Sequence, residues 1–123
     1  MCYDNEAAYY GRIGEDKAAA YFKSLGYIII KRNWKDSRYG EIDIVAESRN
    51  DIVFVEVKTR AGDALVTGLE SIDEYKLARV KNAAQIFMNR FHSKLPYRVD
   101  AVELTHYNEN GKEMWKLKHI KNI

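Results

Sequence analysis

The sequence predicts an α/β fold built on one sheet, with its elements in the order helix, three strands, helix, two strands. Three observations predict it. Small and apolar residues recur at alternating steps of three and four near the start of the chain and again after residue 71, which is helical periodicity. Between and beyond these stretches lie short segments that alternate apolar and polar residues, which is the period of a strand. A chain of 123 residues suits a single core, and no repeat, low-complexity stretch or Pro- or Ser-rich linker divides it, so we expect one domain over residues 1–123.

The first helix is expected from about Asn5 to Leu25, because Ala8, Gly11, Ala18, Phe22 and Leu25 share one stripe and Gly26 ends it. Glu15 falls on that stripe where a small or apolar residue belongs. The run Tyr27 to Asn33 reads as the first strand. Gly40 to Glu47 and Asp51 to Lys58 form a hairpin across the polar Ser48, Arg49 and Asn50. A polar loop with two glycines, Thr59 to about Glu70, leaves room for a ligand-contacting segment. Ser71 and Glu74 make a capping box, after which Leu77, Val80, Ala84, Phe87 and Phe91 predict a second helix that stops before Pro96. Tyr97 to Thr105 and Glu113 to Ile120 read as two strands around the turn pair Asn110-Gly111.

Composition excludes several classes. With 46% hydrophobic and 31% charged residues the chain is far from a disordered composition. No apolar run, Tyr27 to Ile30 included, approaches the roughly 20 residues of a membrane-spanning helix. The start lacks the basic-then-apolar order of a signal peptide, and a cytoplasmic protein is expected. One cysteine, Cys2, excludes an internal disulfide and a thiolate metal cluster. A net charge of +2 does not announce a nucleic-acid binder, but the basic residues bunch: Lys31, Arg32, Lys35 and Arg38; Lys76, Arg79 and Lys81; Lys112, Lys116, Lys118 and Lys121.

The chemistry concentrates in the hairpin. Alternation puts Ile42, Ile44 and Ala46 on one face of its first strand and Glu41, Asp43 and Val45 on the other. In the second strand it separates Val53, Val55 and Val57 from Phe54, Glu56 and Lys58. A turn through Arg49 and Asn50 sets Asp43 opposite Glu56, on the same side of the sheet as Lys58. Like charges so placed repel, and they need either a compensating cation or a solvated face. Magnesium favours one or two carboxylates with water and substrate phosphate, and Lys58 would then orient the attacking water or offset developing charge. Glu15 points the same way, since a carboxylate on the inner stripe of a helix needs a partner. The hairpin alone reads equally well as a solvated acidic face over an aliphatic one.

Asp43 followed on the next strand by Glu56-Val57-Lys58 resembles the PD-(D/E)XK nuclease superfamily. More closely, Gly14-Glu15, the stretch from Tyr27 to Arg32-Asn33-Trp34, GEIDIVA at 40–46, FVEVKTR at 54–60, Lys76 and RVDAV at 98–102 look like the YraN family of uncharacterised bacterial proteins, from about Gly11 to Val102. The resemblance implies a restriction-endonuclease-like core with a mixed five-stranded sheet flanked by helices, as in archaeal Holliday-junction resolvases and the tRNA-splicing endonuclease fold. It implies a Mg2+-dependent endonuclease, with Mn2+ able to substitute, acting on nucleic acid: DNA, branched DNA included. Asp43 and Glu56 would be metal ligands, Lys58 the catalytic lysine and Glu15 a helix-borne carboxylate joining the metal site. Arg60 and Lys76 would contact nucleic acid. Ile42 stands where the superfamily name has proline, a position whose side chain ligates nothing.

Lys35 and Arg38, beside Trp34 and Tyr39, are the best candidates for a basic and aromatic surface that binds nucleic acid, with Tyr9, Tyr10 and Trp115 as further stacking candidates, and core packing or a dimer contact explains Trp34 equally well. His92, His106 and His119 lack a metal-site spacing, and Asp100 reads as the structural partner of a nearby arginine. Two-fold dimers suit substrates with paired strands, although no interface is legible in the sequence. Two other readings remain open: a nucleic-acid-binding domain without useful catalysis, and an interaction protein whose acidic hairpin is a solvated surface.

Overall fold

The computed structural model describes residues 2–36, 40–62, 74–91 and 93–123, with side chains from residue 6 onward. The elements are α1 (Cys2–Ser24), β1 (Ile28–Asp36), β2 (Gly40–Glu47), β3 (Ile52–Ala61), α2 (Glu74–Arg90), β4 (Tyr97–Glu109) and β5 (Lys112–Ile120), in the predicted order. The five strands form one sheet in chain order, with β3 and β4 parallel and every other neighbouring pair antiparallel. The mixed α/β architecture is therefore the one expected. Parallel neighbours require a crossover, and α2 supplies it. The β4–β5 hairpin turns at Asn110 and Gly111, with φ of 53° and 77°, the left-handed pair of a type I′ turn.

Each face of the sheet is covered by one helix. Ala18, Ala19 and Phe22 of α1 pack on Ile44, Ala46, Val53, Val55, Val102 and Leu104. On the other face, Val80, Ala83, Ala84, Phe87 and Met88 of α2 pack on Ile42, Val45, Ile52, Phe54 and Val99. The hairpin thus has no solvated face along Ile52 to Phe54, because a strand with a parallel neighbour is buried on both sides.

One residue departs from the expected alternation for a specific reason. The sequence places Ile42 with Ile44 and Ala46, but it joins Val45 on the α2 face. The phase of β2 switches at Asp43, and that of β1 switches beside it. Arg32 pairs with Ile44 and Trp34 with Ile42, and between them Asn33 adopts φ 53°. Arg32 consequently reaches α1 while Trp34 packs on Phe87 of α2. A single left-handed residue lets one strand serve both faces, and asparagine tolerates that region better than most residues.

The stripe of α1 is also shifted. Ala8 and Leu25 are exposed, and the buried glycine is Gly14 rather than Gly11. A Cβ at Gly14 would collide with the Thr59 side chain, so glycine here sets the approach of α1 to β3. Strand β3 runs on through the start of the expected loop because Thr59, Arg60 and Ala61 pair with Leu104, Thr105 and His106. Ser71 of the expected capping box lies outside the described residues.

At the end of the sheet away from Lys58, Asp100 is fully buried. It accepts from Arg98 Nε at 2.9 Å and Asn122 N at 2.9 Å, and His119 Nε2 lies 2.7 Å from it. Burial disfavours its charged form, but these bonds together hold its pKa below the usual value of 3.8. His119 is sandwiched between Asp100 and the Tyr21 hydroxyl, 2.8 Å from Nδ1, so it is a satisfied inner histidine. Among the described residues no helix is long and apolar enough to cross a membrane.

Candidate active site at the fork between β2 and β3

The β2–β3 ladder covers four residue pairs, from Glu47↔Ile52 to Ile44↔Val55. Beyond it β2 stays with β1 as far as Gly40, while β3 stays with β4 as far as Ala61, so the two strands part. Asp43 and Glu56 are the first residues past the last pair. Asp43 Oδ2 accepts from the Val57 N–H at 2.8 Å, so a side-chain oxygen satisfies a donor that the departing strand leaves without its ladder partner. Glu56 is 4% exposed, and its Oε1 lies 2.6 Å from Nζ of Lys76, in the first turn of α2.

Burial and the neighbouring Glu56 charge push the Asp43 pKa up to about 7, with a smaller contribution from Glu15; the Val57 amide and Lys76 act in the opposite sense. Burial likewise raises Glu56, opposed by the hydrogen bond and charge of Lys76 and by the charge of Lys58. The fork therefore holds two desolvated carboxylates whose negative charges each make the other harder to form. Such a pair invites a cation.

A groove of about 900 Å³ opens beside the fork, with Glu15, Asp43, Lys58, Arg60 and Lys76 in its walls. A smaller recess of about 360 Å³, lined by Lys35, Asp43, Glu56 and Lys76, adjoins it. Glu15 has partners from β1: Arg32 Nη2 and Asn33 Nδ2 each donate to its Oε1 at 3.0 Å, and Arg32 also binds Asp16 at 2.8 Å. The inward carboxylate is thus answered by a guanidinium and an amide at the groove wall. Among the described residues no three His, Cys, Asp or Glu side chains are gathered as a metal cage. The groups placed to hold a cation are the Asp43 and Glu56 carboxylates.

Arg60 is a groove residue whose Nε lies 3.0 Å from Glu103 Oε2, although the N–H is not aligned for a hydrogen bond. Lys35 is exposed and 3.8 Å from Glu41. Arg38, Tyr39 and His92 lie outside the described residues. Trp34 is half-buried, edge-on to Phe87 at 5.3 Å with Arg90 over its ring, so packing explains it. Tyr10 stacks on His106 at 3.9 Å and donates its hydroxyl to Glu113, while Trp115 packs against the α1-side core. Sequence reasoning missed Arg32 and Asn33 as the partners of Glu15 and the Val57 amide as that of Asp43. An asparagine interrupting an otherwise strand-like run was the one available signal for Asn33.

The fold and site together define a class of small α/β domain whose mixed sheet splits around a buried carboxylate pair, with lysines at 58 and 76 beside it. The chain belongs to the family described as uncharacterised protein family UPF0102, whose model matches residues 14–104. This is the family of the YraN resemblance. A UPF0102 protein of Bacteroides thetaiotaomicron is 39% identical over 111 residues, covering 90% of this chain and 88% of its own. A Clostridium botulinum relative is 39% identical over 114 residues, 91% of this chain and 90% of its own. One from Thermotoga neapolitana is 43% identical over 94 residues, 76% of this chain and 85% of its own.

Proposed function

We propose that this protein is a metal-dependent endonuclease of the PD-(D/E)XK, restriction-endonuclease-like type, hydrolysing phosphodiester bonds of DNA, branched DNA included. The observation that carries this reading is the pair of desolvated carboxylates at the strand fork, Asp43 and Glu56, with Lys58 two residues beyond Glu56.

The donor chemistry fits Mg2+ or Mn2+: two hard carboxylate oxygens, with the open groove leaving room for water and phosphate. Bound there, the ion supplies a Lewis acid for a phosphoryl oxygen and neutralises charge that builds in the transition state. Asp43, aimed by the Val57 N–H, and Glu56 hold it. Lys58 orients the attacking water or offsets the growing negative charge on the phosphoryl group. Glu15, fixed by Arg32 and Asn33, orients water from the α1 side. Lys76 supplies the positive charge that Glu56 needs in the metal-free protein, and with Arg60 it offers phosphate a contact.

The test is incubation with labelled linear, nicked and four-way-junction DNA, with and without Mg2+ or Mn2+. Cleavage is expected only with metal and is expected to vanish in Asp43→Ala and Glu56→Ala. Metal-independent cleavage, or activity surviving both substitutions, overturns the mechanism. The Lys76–Glu56 contact also favours a second reading, a nucleic-acid-binding domain without catalysis, because that ion pair compensates the buried acid without any metal. That reading expects salt-dependent binding that survives both alanine changes, with no cleavage.

A further inference from the structure

The strand register carries positive charge away from the fork along one face of the sheet. Lys58 on β3, Glu103 on β4 and Lys118 on β5 stand in one row across three strands, and Arg60, Thr105 and Lys116 stand in the next. The row before these begins with Glu56 itself. Val102, Leu104, Trp115 and Leu117 belong to the α1 side, so the alternate residues of both rows face the other side. There the α2 cluster includes Phe54 and Val99 and, among the described residues, no later residue of β3 or β4.

Lys116 and Lys118 are exposed, and the one acid in these two rows, Glu103, already has a cation within 3.0 Å in Arg60. Rows two residues apart lie about 7 Å from each other, roughly the axial rise of two phosphates along one strand of a duplex. With Glu103 buried against Arg60, the charge that these rows present to solvent is that of the β5 lysines, and the rows as a whole are net basic and begin beside a site read as cutting phosphodiesters.

We infer that the exposed lysines of edge strand β5, Lys116 and Lys118, in the same rows as Lys58 and Arg60, are phosphate contacts for the backbone of a nucleic acid as it leaves the carboxylate pair. The inference rests on the nuclease reading and deepens it. It moves the main binding surface from the β1 side, where Lys35 lies, to the β5 side of the sheet. Because the contacts are to phosphate, they position the substrate and do not select its sequence.

The experiment is an anisotropy titration of labelled duplex and single-stranded DNA across a salt series, without divalent metal. The wild-type chain is compared with the double variant Lys116→Gln, Lys118→Gln and with a control that loses the same charge elsewhere, Lys23→Gln, Lys81→Gln. Each lost phosphate contact lowers the slope of log K against log salt by about 0.9 for duplex or about 0.7 for single strands. The β5 variant is expected to lose about two contacts of slope and roughly tenfold in affinity at low salt, while the control keeps the wild-type slope. Equal losses in both variants, or an unchanged slope in the β5 variant, overturn the inference and leave the nuclease reading standing. A wild-type chain that binds neither DNA overturns the inference, while the nuclease reading is decided separately by metal-dependent cleavage.

Discussion

Asp43 shows how much a residue depends on where the strands around it go. With its pKa raised from 3.8 to about 7, it is protonated in the fold at pH values where the unfolded chain has already ionised. Between pH 4 and 7 the unfolded state therefore binds fewer protons, and stability falls as pH rises through that window, levelling off above the folded pKa. Removing the ionisation with Asp43→Asn is expected to stabilise the metal-free protein by up to about 4 kcal/mol at pH 7.5 and by little near pH 4. Thermal unfolding at both pH values measures this. Identical melting temperatures at pH 7.5 would count against a desolvated carboxylate at the fork. The alternation of Ile42, Asp43 and Ile44 announced an acid among aliphatics, but not that a backbone amide of the next strand would hold it. Such a bond depends on two strands separating, which no local pattern encodes.

At the scale of elements, Asn33 decides how β1 divides its side chains between the two helices. Its φ of 53° sends Arg32 to Glu15 and Trp34 to Phe87. Asn33→Gly keeps that conformation accessible, so it should leave stability within about 0.5–1 kcal/mol of wild type. Asn33→Val should cost about 2 kcal/mol or more, since both variants lose the Glu15 hydrogen bond but only the β-branched residue resists the left-handed region. Urea unfolding of both variants reads the difference, and a valine variant as stable as the glycine one would remove the argument. Helix periodicity and the Asn110-Gly111 turn were legible because their causes are local. The extension of β3 to Ala61 was not, since it comes from pairing with β4, a strand far away in the chain.

Across the whole molecule, two inward aspartates behave oppositely. Asp43, desolvated and with Glu56 beside it, prefers its proton; Asp100, desolvated at the other end of the sheet, gains Arg98, His119 and the Asn122 amide and keeps its charge. A lowered pKa contributes stability that is present above the ordinary value of 3.8 and is lost as pH falls below it. Asp100→Ala is therefore expected to cost about 3 kcal/mol or more at neutral pH, because it takes the acceptor from Arg98 Nε, His119 Nε2 and the Asn122 amide at a fully buried position, although Arg98 keeps Asp51 and His119 keeps Tyr21. Chemical denaturation at pH 7 checks this, and a loss under about 1 kcal/mol would show that the cluster is dispensable.

By itself the sequence determined the order of elements, the helix-covered sheet and the two strands that carry Asp43 and Glu56, because these follow from periodicity, capping and turn residues acting over a few positions. Only the tertiary structure decided which strands run parallel, where β2 leaves β3, how far each carboxylate is desolvated and which cation stands beside Glu56. Those properties depend on which distant segments meet: burial and Coulomb interaction act through space, and a strand has no local means of setting the charge that α2 will bring to it.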